Sequence, residues 1–245
     1  MKNRFFKTAG ILMMGIFLSC AHIFITGANA MNNTNTLTKK QESIAQIAAL
    51  TAAGDTQQLN GALKKGLEGG LTVNEIKEEL VQLYAYAGFP RALNALGVFQ
   101  NVLSERAAQG IADPVGESGK ELPQGTDKFA YGNTVQIKLT GAPVQGGLMD
   151  FAPAIDTFLK EHLFADIFGR GVLGYQDREV ATIAALAAMT GVQSQLASHI
   201  GIGLNVGLTG AQIKDIAAIV GQSVSKTQET LATQTLEEVL KRREK

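Results

Sequence analysis

The chain has 245 residues, with 22 basic and 22 acidic side chains, three histidines and one cysteine. A net charge of zero, without any block of like charge, gives no electrostatic reason to expect nucleic acid or an anionic membrane as a partner. A single cysteine excludes an intrachain disulfide and a Cys-x-x-Cys redox pair. Small polar or apolar molecules remain as the expected ligands.

Residues 1–30 predict a signal peptide. Lys2, Arg4 and Lys7 precede an apolar run from Ala9 to Phe24, and Ala28-Asn29-Ala30 supplies the small-x-small pattern that signal peptidase recognises. The run is interrupted by polar residues and is short beside the ~20 apolar residues that a membrane span needs, which disfavours a retained anchor. We therefore expect cleavage near Ala30 and an exported protein, periplasmic or secreted, without a membrane attachment.

Cleavage would change two properties of the chain. The 22 basic residues lose three, which leaves 19 against 22 acidic ones and a net charge of about −3. The only cysteine, Cys20, also lies in the leader, so the mature protein would contain no thiol. Leu18-Ser19-Cys20 is close to a lipobox, but Phe17 stands where a smaller aliphatic residue is usual, so lipidation of Cys20 is the minor alternative.

The mature sequence contains the same unit twice. Gln41 to Leu103 aligns with Arg178 to Leu240 without a gap, at a constant offset of 137 residues. A register that holds over this length indicates duplication of a whole structural unit. The matched positions include Glu42 with Glu179, Gly54 with Gly191, Gln58-Leu59 with Gln195-Leu196, Gly70-Leu71-Thr72 with Gly207-Leu208-Thr209, and Val102-Leu103 with Val239-Leu240.

The first unit, residues 31–109, predicts four helices. A central helix, Ile44 to Ala53, is apolar nearly all round and ends at a glycine, as a buried helix does. A second helix runs to Gly70, and the capping box Thr72-x-x-Glu75 opens a third. Phe89-Pro90 then breaks the pattern, and Arg91 to Glu105 resumes it as the fourth helix.

The segment 110–147 predicts a long surface connector, because it is rich in proline, glycine, serine and aspartate. We expect at most a short strand there, from Thr134 to Leu139. The second unit, residues 148–245, begins with an additional helix from Phe151 to Phe168.

The remainder of the second unit repeats the pattern of the first. Val180 to Met189 is its central helix, a second helix runs to Gly207, and the capping box Thr209-x-x-Gln212 opens a third. Thr227 to Arg243 is the matching amphipathic fourth helix. The expected fold class is all-α, with two tandem helical units.

Two groups of motifs resemble the carboxymuconolactone decarboxylase family, whose fold also serves the alkylhydroperoxidase-D-like proteins. The second unit carries Arg170-Gly171-Val172-Leu173 and Arg178-Glu179-Val180, followed by His199 and Gly207. The first unit carries Tyr86-Ala87-Gly88-Phe89-Pro90 and Ala92-Leu93-Asn94-Ala95. The resemblance covers both units and implies two tandem copies of the family's helical unit.

The sequence departs from the hydroperoxidase branch of this family. That branch depends on a Cys-x-x-Cys pair shortly before the histidine, where this chain has Gly191-Val192-Gln193-Ser194-Gln195. The first unit has Ala62 where the second has His199, and the second has Gly221 to Ser225 where the first has Tyr84 to Gly88. Each half therefore keeps residues that the other half lacks.

Glu179 and His199 are the candidate catalytic residues. They lie on consecutive helices joined around Gly191, at distances that allow contact. A carboxylate beside an imidazole orients the ring and fixes its tautomer, which suits the imidazole to moving a proton. The alternative is structural: Glu179 would satisfy backbone amides in a first helical turn, and His199 would be a hydrogen-bonded core residue.

Arg178, Tyr86 and Gln195 are the candidate substrate-binding residues. Arg178 can hold a substrate carboxylate through two hydrogen bonds. The alternative is a structural ion pair with Asp177 or Glu179. For Arg170, such an ion pair is the preferred role. Tyr86, more than Tyr84, is expected to line an apolar pocket and present its hydroxyl. Gln195 lies one helical turn before His199 and can orient the ring or the ligand, although its counterpart Gln58 in the unit without histidine favours a structural role.

The resemblance implies a cofactor-independent lyase or isomerase acting on a small carboxylated lactone or cyclic acid, with His199 transferring the proton. No metal or other cofactor is expected. The alternatives are a non-catalytic helical binding or assembly protein, and a peroxidase, which the missing thiols disfavour. The family's rings of six units further imply a homotrimer of this two-unit chain, with Ala92 to Leu103 and Leu231 to Leu240 between units.

Overall fold

The computed structural model describes residues 36–244, so the predicted signal peptide and its cleavage site lie outside the described residues. Within residues 36–244 the chain forms eleven α-helices, a π-helix and one 3₁₀ turn, and no strand. The predicted all-α fold is therefore confirmed. None of the helices in this range is long and apolar enough to cross a membrane.

The first unit contains four helices, as predicted. The central helix begins five residues earlier than expected, because Thr38 and Gln41 form a capping box ahead of the apolar stretch. It ends where predicted, since Gly54 takes the left-handed conformation, with φ of 79°. The helices are α1 (Lys39–Ala53), α2 (Thr56–Glu68), α3 (Val73–Ala87) and α4 (Phe89–Ala108).

The break between α3 and α4 is shorter than the sequence suggested. The predicted capping box of Thr72 and Glu75 opens α3, and α3 ends before Gly88, whose φ of 82° no other residue adopts easily. Helix α4 then begins at Phe89, with Pro90 in its first turn. Proline is tolerated there because the first turn has no partner for its missing N–H.

The second unit repeats these four helices. The capping box of Thr209 and Gln212 opens its third helix, as predicted. Its central helix ends at Ala188, with Met189 already extended, so Gly191 lies in the following turn and does not end the helix. The helices are α8 (Tyr175–Ala188), α9 (Gln193–Asn205), α10 (Gly210–Ser223) and α11 (Lys226–Arg243).

The predicted strand in the connector is wrong, because Thr134 to Leu139 lies inside a helix, α5 (Lys128–Thr140). The Asp127 carboxylate caps this helix by accepting a hydrogen bond from the Ala130 N–H. Val135 and Leu139, one turn apart, bury the same face of the helix. The connector is therefore partly a packed helix and not surface loop alone.

The additional helix predicted from Phe151 to Phe168 is helical but divided. The divisions are α6 (Leu148–Phe151), α7 (Pro153–Thr157), a π-helix (Phe158–Ile167) and a 3₁₀ turn (Phe168–Arg170). The π-helix packs closely on α5: Gly132 meets the backbone carbonyl of Lys160, where a side chain would not fit. We call α5 and the π-helix together the connector hairpin.

The two units share one core. Helices α1 and α8 pack against each other more extensively than any other pair from different units, and α3 and α10 each contact both of them. A second, smaller cluster is formed by the connector hairpin, with Leu139, Phe164 and Phe168 packed around Ile202 of α9. Tyr86 of α3 packs against this cluster as well as against the main core. The connector hairpin therefore lies beside Tyr86, where α3 meets α8.

Candidate functional site

The central contact of the site joins the two predicted catalytic residues. Glu179 is fully buried in the first turns of α8, and its Oε2 lies 2.8 Å from Nδ1 of His199 on α9. The two helices approach closely because Gly203 of α9 packs against Ile183 of α8, with little room for a Cβ atom. The His199 side chain is 12% exposed, so the ring lies at the edge of the core.

This contact engages one of the two ring nitrogens of His199. Nδ1 is the ring nitrogen that faces the Glu179 carboxylate, and Nε2 makes no hydrogen bond to any residue in the range 36–244. The other nitrogen, Nε2, is then the atom that can exchange a proton with a bound molecule. A histidine whose ring is oriented by a buried carboxylate in this way is suited to general acid–base chemistry.

Tyr86 of the first unit reaches the same histidine. Its ring meets the His199 ring edge-on, with centroids 5.3 Å apart and an interplanar angle of 84°. The Tyr86 hydroxyl is buried near Thr182, without a well-formed hydrogen bond to any residue in the range 36–244. Burial, and secondarily the negative charge of Glu179, raises the pKa of Tyr86, so the phenol remains a neutral donor.

Arg178 is fully buried beside Tyr86 and Phe168. Its Nη1 donates to Oε1 of Gln82 at 2.7 Å, and its guanidinium lies 5.3 Å from the centre of the Phe168 ring. Burial lowers the pKa of Arg178 to about 10, which still leaves the group charged at neutral pH. Nε and Nη2 have no hydrogen-bond partner among the described residues, and the carboxylate of Glu78 is 3.8 Å from Nη2.

Gln82 and Thr182 hold this arginine and were not among the residues predicted from the sequence. Gln82 Nε2 donates to the Arg178 carbonyl and to Thr182 Oγ1, both at 2.9 Å. The Thr182 hydroxyl also donates to the Arg178 carbonyl, at 2.9 Å. The internal repeat contained a signal for Gln82, because its aligned counterpart in the second unit is Ile219. A polar residue therefore occurs at this buried position in the first unit only.

The expected partners of the two arginines were wrong. Arg170 has the structural role predicted for it, but its Nε donates to both oxygens of Glu78, at 2.9 and 2.8 Å. Asp177 instead accepts a hydrogen bond from Gln41 Nε2 at 3.0 Å. Glu78 is therefore the carboxylate that serves both arginines, and it comes from the other unit of the repeat.

Two further candidates lie outside this cluster. Gln195 is exposed and accepts a hydrogen bond from the Ser194 hydroxyl at 2.9 Å, and among residues 36–244 it makes no hydrogen bond to His199. Tyr84 stacks on Phe89, with centroids 4.4 Å apart, and tilts toward His162. The structure thus brings together Glu179, His199, Tyr86 and Arg178, and leaves Gln195 on the surface.

The cluster contains buried polar atoms that no other residue in the described part of the chain satisfies. They are Nε and Nη2 of Arg178, the hydroxyl of Tyr86 and Oε1 of Glu179. Buried polar groups are usually paired, so these atoms leave hydrogen-bonding capacity unused in the core beside His199. Across residues 36–244, no group of three or more His, Cys, Asp or Glu side chains could hold a metal ion.

The site combines three inward-facing side chains of one helical unit with a tyrosine of the other, in an all-α tandem repeat. The sequence profile of the carboxymuconolactone decarboxylase family matches residues 21–101 and 153–238. These two regions cover more than half of the chain, one in each half, so the protein belongs to the carboxymuconolactone decarboxylase family. A comparison with curated proteins found no match.

Proposed function

We propose that this protein is a cofactor-independent lyase or isomerase that acts on a small carboxylated lactone or related cyclic acid. The observation that carries the proposal is the 2.8 Å contact between Glu179 and His199 beside the unpaired donors of Arg178 and Tyr86. A buried guanidinium with two N–H groups left over suits a carboxylate ligand, and a neutral phenol can add a third hydrogen bond.

In the proposed reaction Arg178 and Tyr86 hold an oxyanion of the substrate and His199 moves a proton. Isomerisation needs one proton removed from a ring carbon and returned to another, both by Nε2. In decarboxylation, the C–C bond to the carboxylate breaks and CO₂ is released. The electron pair of that bond passes into the conjugated ring carbonyl. A proton from Nε2 then adds to the resulting carbanion. In either case Glu179 stabilises the charged imidazole, and no redox partner is required.

The predicted signal peptide supports a location outside the cytoplasm for this chemistry. We therefore propose that the substrate is a cyclic acid met after export and not an intracellular ring-cleavage intermediate. The peroxide reduction of the family's other branch is disfavoured, because it needs two neighbouring cysteines and this chain has one.

The test is replacement of His199 by Gln, which keeps a polar side chain of similar reach but cannot take up a proton. A panel of small lactones bearing a ring carboxylate is assayed by ultraviolet absorbance and by CO₂ release. We expect the variant to lose roughly two to four orders of magnitude in kcat for any lactone that the wild type converts. The Glu179 contact is lost, but the fold should persist.

His162→Gln is the matched control, because His162 is half-exposed on the π-helix, where it contacts Asp166 at 3.2 Å, away from Glu179. This variant should keep wild-type turnover. Full activity in His199→Gln would remove His199 as the acid–base group, and no turnover of any lactone acid by wild type would favour the non-catalytic binding protein.

A further inference from the structure

The strongest unexplained feature outside the site is a groove between α1 and α10. It has a volume of about 520 Å³ and is bordered by Glu42, Gln46, Lys65, Asp215, Gln222 and Ser223, among others. Three of these residues align, at the offset of 137, with residues of the site described above. Glu42 corresponds to Glu179, Asp215 to Glu78, and Ser223 to Tyr86. We call this cavity the α1–α10 groove.

The α1–α10 groove is the counterpart of the site without its arginine and its histidine. Gln41 stands in place of Arg178 and Ala62 in place of His199, whereas both carboxylates are kept. The groove therefore faces two carboxylates and a single ammonium group, that of Lys65, for a net charge of −1. Replacing the arginine by a neutral side chain while keeping both carboxylates changes the charge of the ligand that the groove favours from negative to positive.

A second observation indicates that the groove is built to take a ligand. Ser223 is only 7% exposed, yet its hydroxyl has no hydrogen-bond partner among the residues described. A buried hydroxyl normally has one, and this hydroxyl belongs to a residue that lines the groove.

The two carboxylates also retain capacity to accept hydrogen bonds. Within residues 36–244, Glu42 forms no ion pair, and the Asp215 carboxylate accepts only the Leu37 N–H, at 3.2 Å. The amide oxygens of Gln46 and Gln222 supply further acceptors at the border of the groove. Ala218 and Ile219 add an apolar surface against which a short carbon chain can pack.

We propose that the α1–α10 groove binds a small organic ammonium ion, with the ammonium group held by Glu42, Asp215 and the Ser223 hydroxyl and its carbon chain against Ile219. The duplicated chain would then have two sites of opposite preference: one for a carboxylate beside Arg178, and one for an amine. The proposal does not depend on the reaction assigned to His199.

The test uses protein labelled at the isoleucine δ1 methyl groups and titrated with n-butylammonium chloride, followed by NMR. Sodium butyrate, which has the same chain length and the opposite charge, is the matched ligand control. We expect the Ile219 methyl resonance to shift and saturate with butylammonium and not with butyrate. The methyls of Ile111 and Ile155, which are exposed elsewhere on the protein, should not shift.

Variants connect the binding to the groove. Glu42→Gln and Ser223→Ala should each weaken butylammonium binding by about fivefold or more. Glu117→Gln removes the same charge from an exposed position of the connector and should leave binding unchanged. His199→Gln should also leave it unchanged, which separates this proposal from the proposed reaction.

Three outcomes would overturn the proposal. The first is an equal shift of Ile219 with butyrate. The second is a linear, unsaturated shift of all exposed methyls with butylammonium, and the third is unchanged affinity in both Glu42→Gln and Ser223→Ala.

Discussion

Glu79 of α3 is a buried side chain whose carboxyl group lacks hydrogen bonds. It is fully buried, and neither carboxylate oxygen has a hydrogen-bond partner among the residues described. Burial, and secondarily the negative charge of Asp177, raises the pKa of Glu79 well above its ordinary value. The carboxyl group therefore holds its proton to a higher pH in the folded protein than in the unfolded chain.

The free energy of unfolding should consequently fall as the pH rises above the ordinary pKa of a glutamate. The unfolded state binds fewer protons than the folded state in that range, and this favours unfolding. Glu79→Gln removes the ionisation, so the variant should be more stable than wild type at pH 8 by on the order of 1 kcal/mol or more, and about equal to it at pH 4. Urea unfolding at the two pH values measures the difference.

Glu117→Gln is the control, because it removes an exposed glutamate from the connector. The difference in free energy of unfolding between Glu117→Gln and wild type should be the same at pH 4 and pH 8. A Glu79→Gln variant whose stability difference is the same at pH 4 and pH 8 would show that Glu79 is ionised in the folded state.

At the scale of residues, the sequence predicted the side chains that meet at the candidate site better than the residues that hold them in place. Glu179, His199 and Tyr86 could be found because their residue types and motifs differ from an apolar helix. Glu78 could not be assigned, because α3 is amphipathic and only the packing of α3 on α8 shows which polar side chains point inward. Gln82 had one signal, its apolar counterpart Ile219 in the repeat. The wrong partners expected for Arg178 have the same cause, since its contacts come from residues 96 and 100 positions away.

The connector hairpin is the element whose structure the sequence predicted least well. Thr134, Val135 and Ile137 are β-branched residues, which favour a strand when considered locally. In the folded protein, packing of Val135 and Leu139 against the π-helix outweighs this local preference. The π-helix itself has no recognisable sequence signal, because its apolar residues also fit an ordinary helix. The eight helices of the two units were predictable because their caps and periodicity agree.

The close contact between Gly132 and the Lys160 carbonyl makes the hairpin sensitive to a single methyl group. Gly132→Ala places a Cβ against a backbone atom that cannot rotate away, so the two elements must separate. We expect a loss of roughly 1–3 kcal/mol in the free energy of unfolding. Urea denaturation followed by circular dichroism measures it.

Gly61→Ala is the matched control, since Gly61 lies in α2, where an added methyl group would meet no neighbouring atom within 4 Å. Alanine is the better helix former there, so this variant should gain roughly 0.5–1 kcal/mol. Equal effects of the two substitutions would contradict the close packing of α5 on the π-helix.

At the scale of the whole molecule, duplication has let the two halves diverge around a shared core. Both α3 and α10 open with a threonine capping box, and α1 and α8 occupy equivalent central positions. The site residues differ, because His199 is retained in one half and Tyr86 in the other. A single chain therefore supplies both His199 and Tyr86 to the site. In a dimer of identical, unduplicated units, each unit would have to carry both residues.

We propose that three chains assemble into a ring of six units, as the family resemblance implies. Leu93 of α4 is 61% exposed and Phe89 is 62% exposed, which leaves an apolar surface at the start of the helix expected between units. Light scattering should give three times the mass of one chain, independent of concentration. Leu93→Glu should reduce this mass by desolvating a charge in the interface.

Val115→Glu is the control, because Val115 is 63% exposed in the connector, outside the expected interface. It should leave the mass unchanged. The mass of a single chain for wild type, constant across concentration, would contradict the ring.

The central claim is that Tyr86 of the first unit and the Glu179–His199 pair of the second unit act as one site. The most direct test is a double-mutant cycle on kcat/KM, with Tyr86→Phe, Glu179→Gln and the combination, on whichever lactone acid the wild type converts. If the residues act on one substrate, the double variant should lose at least about tenfold less than the product of the two single losses. Losses that simply multiply would contradict a shared site and leave the two residues as independent features of separate halves.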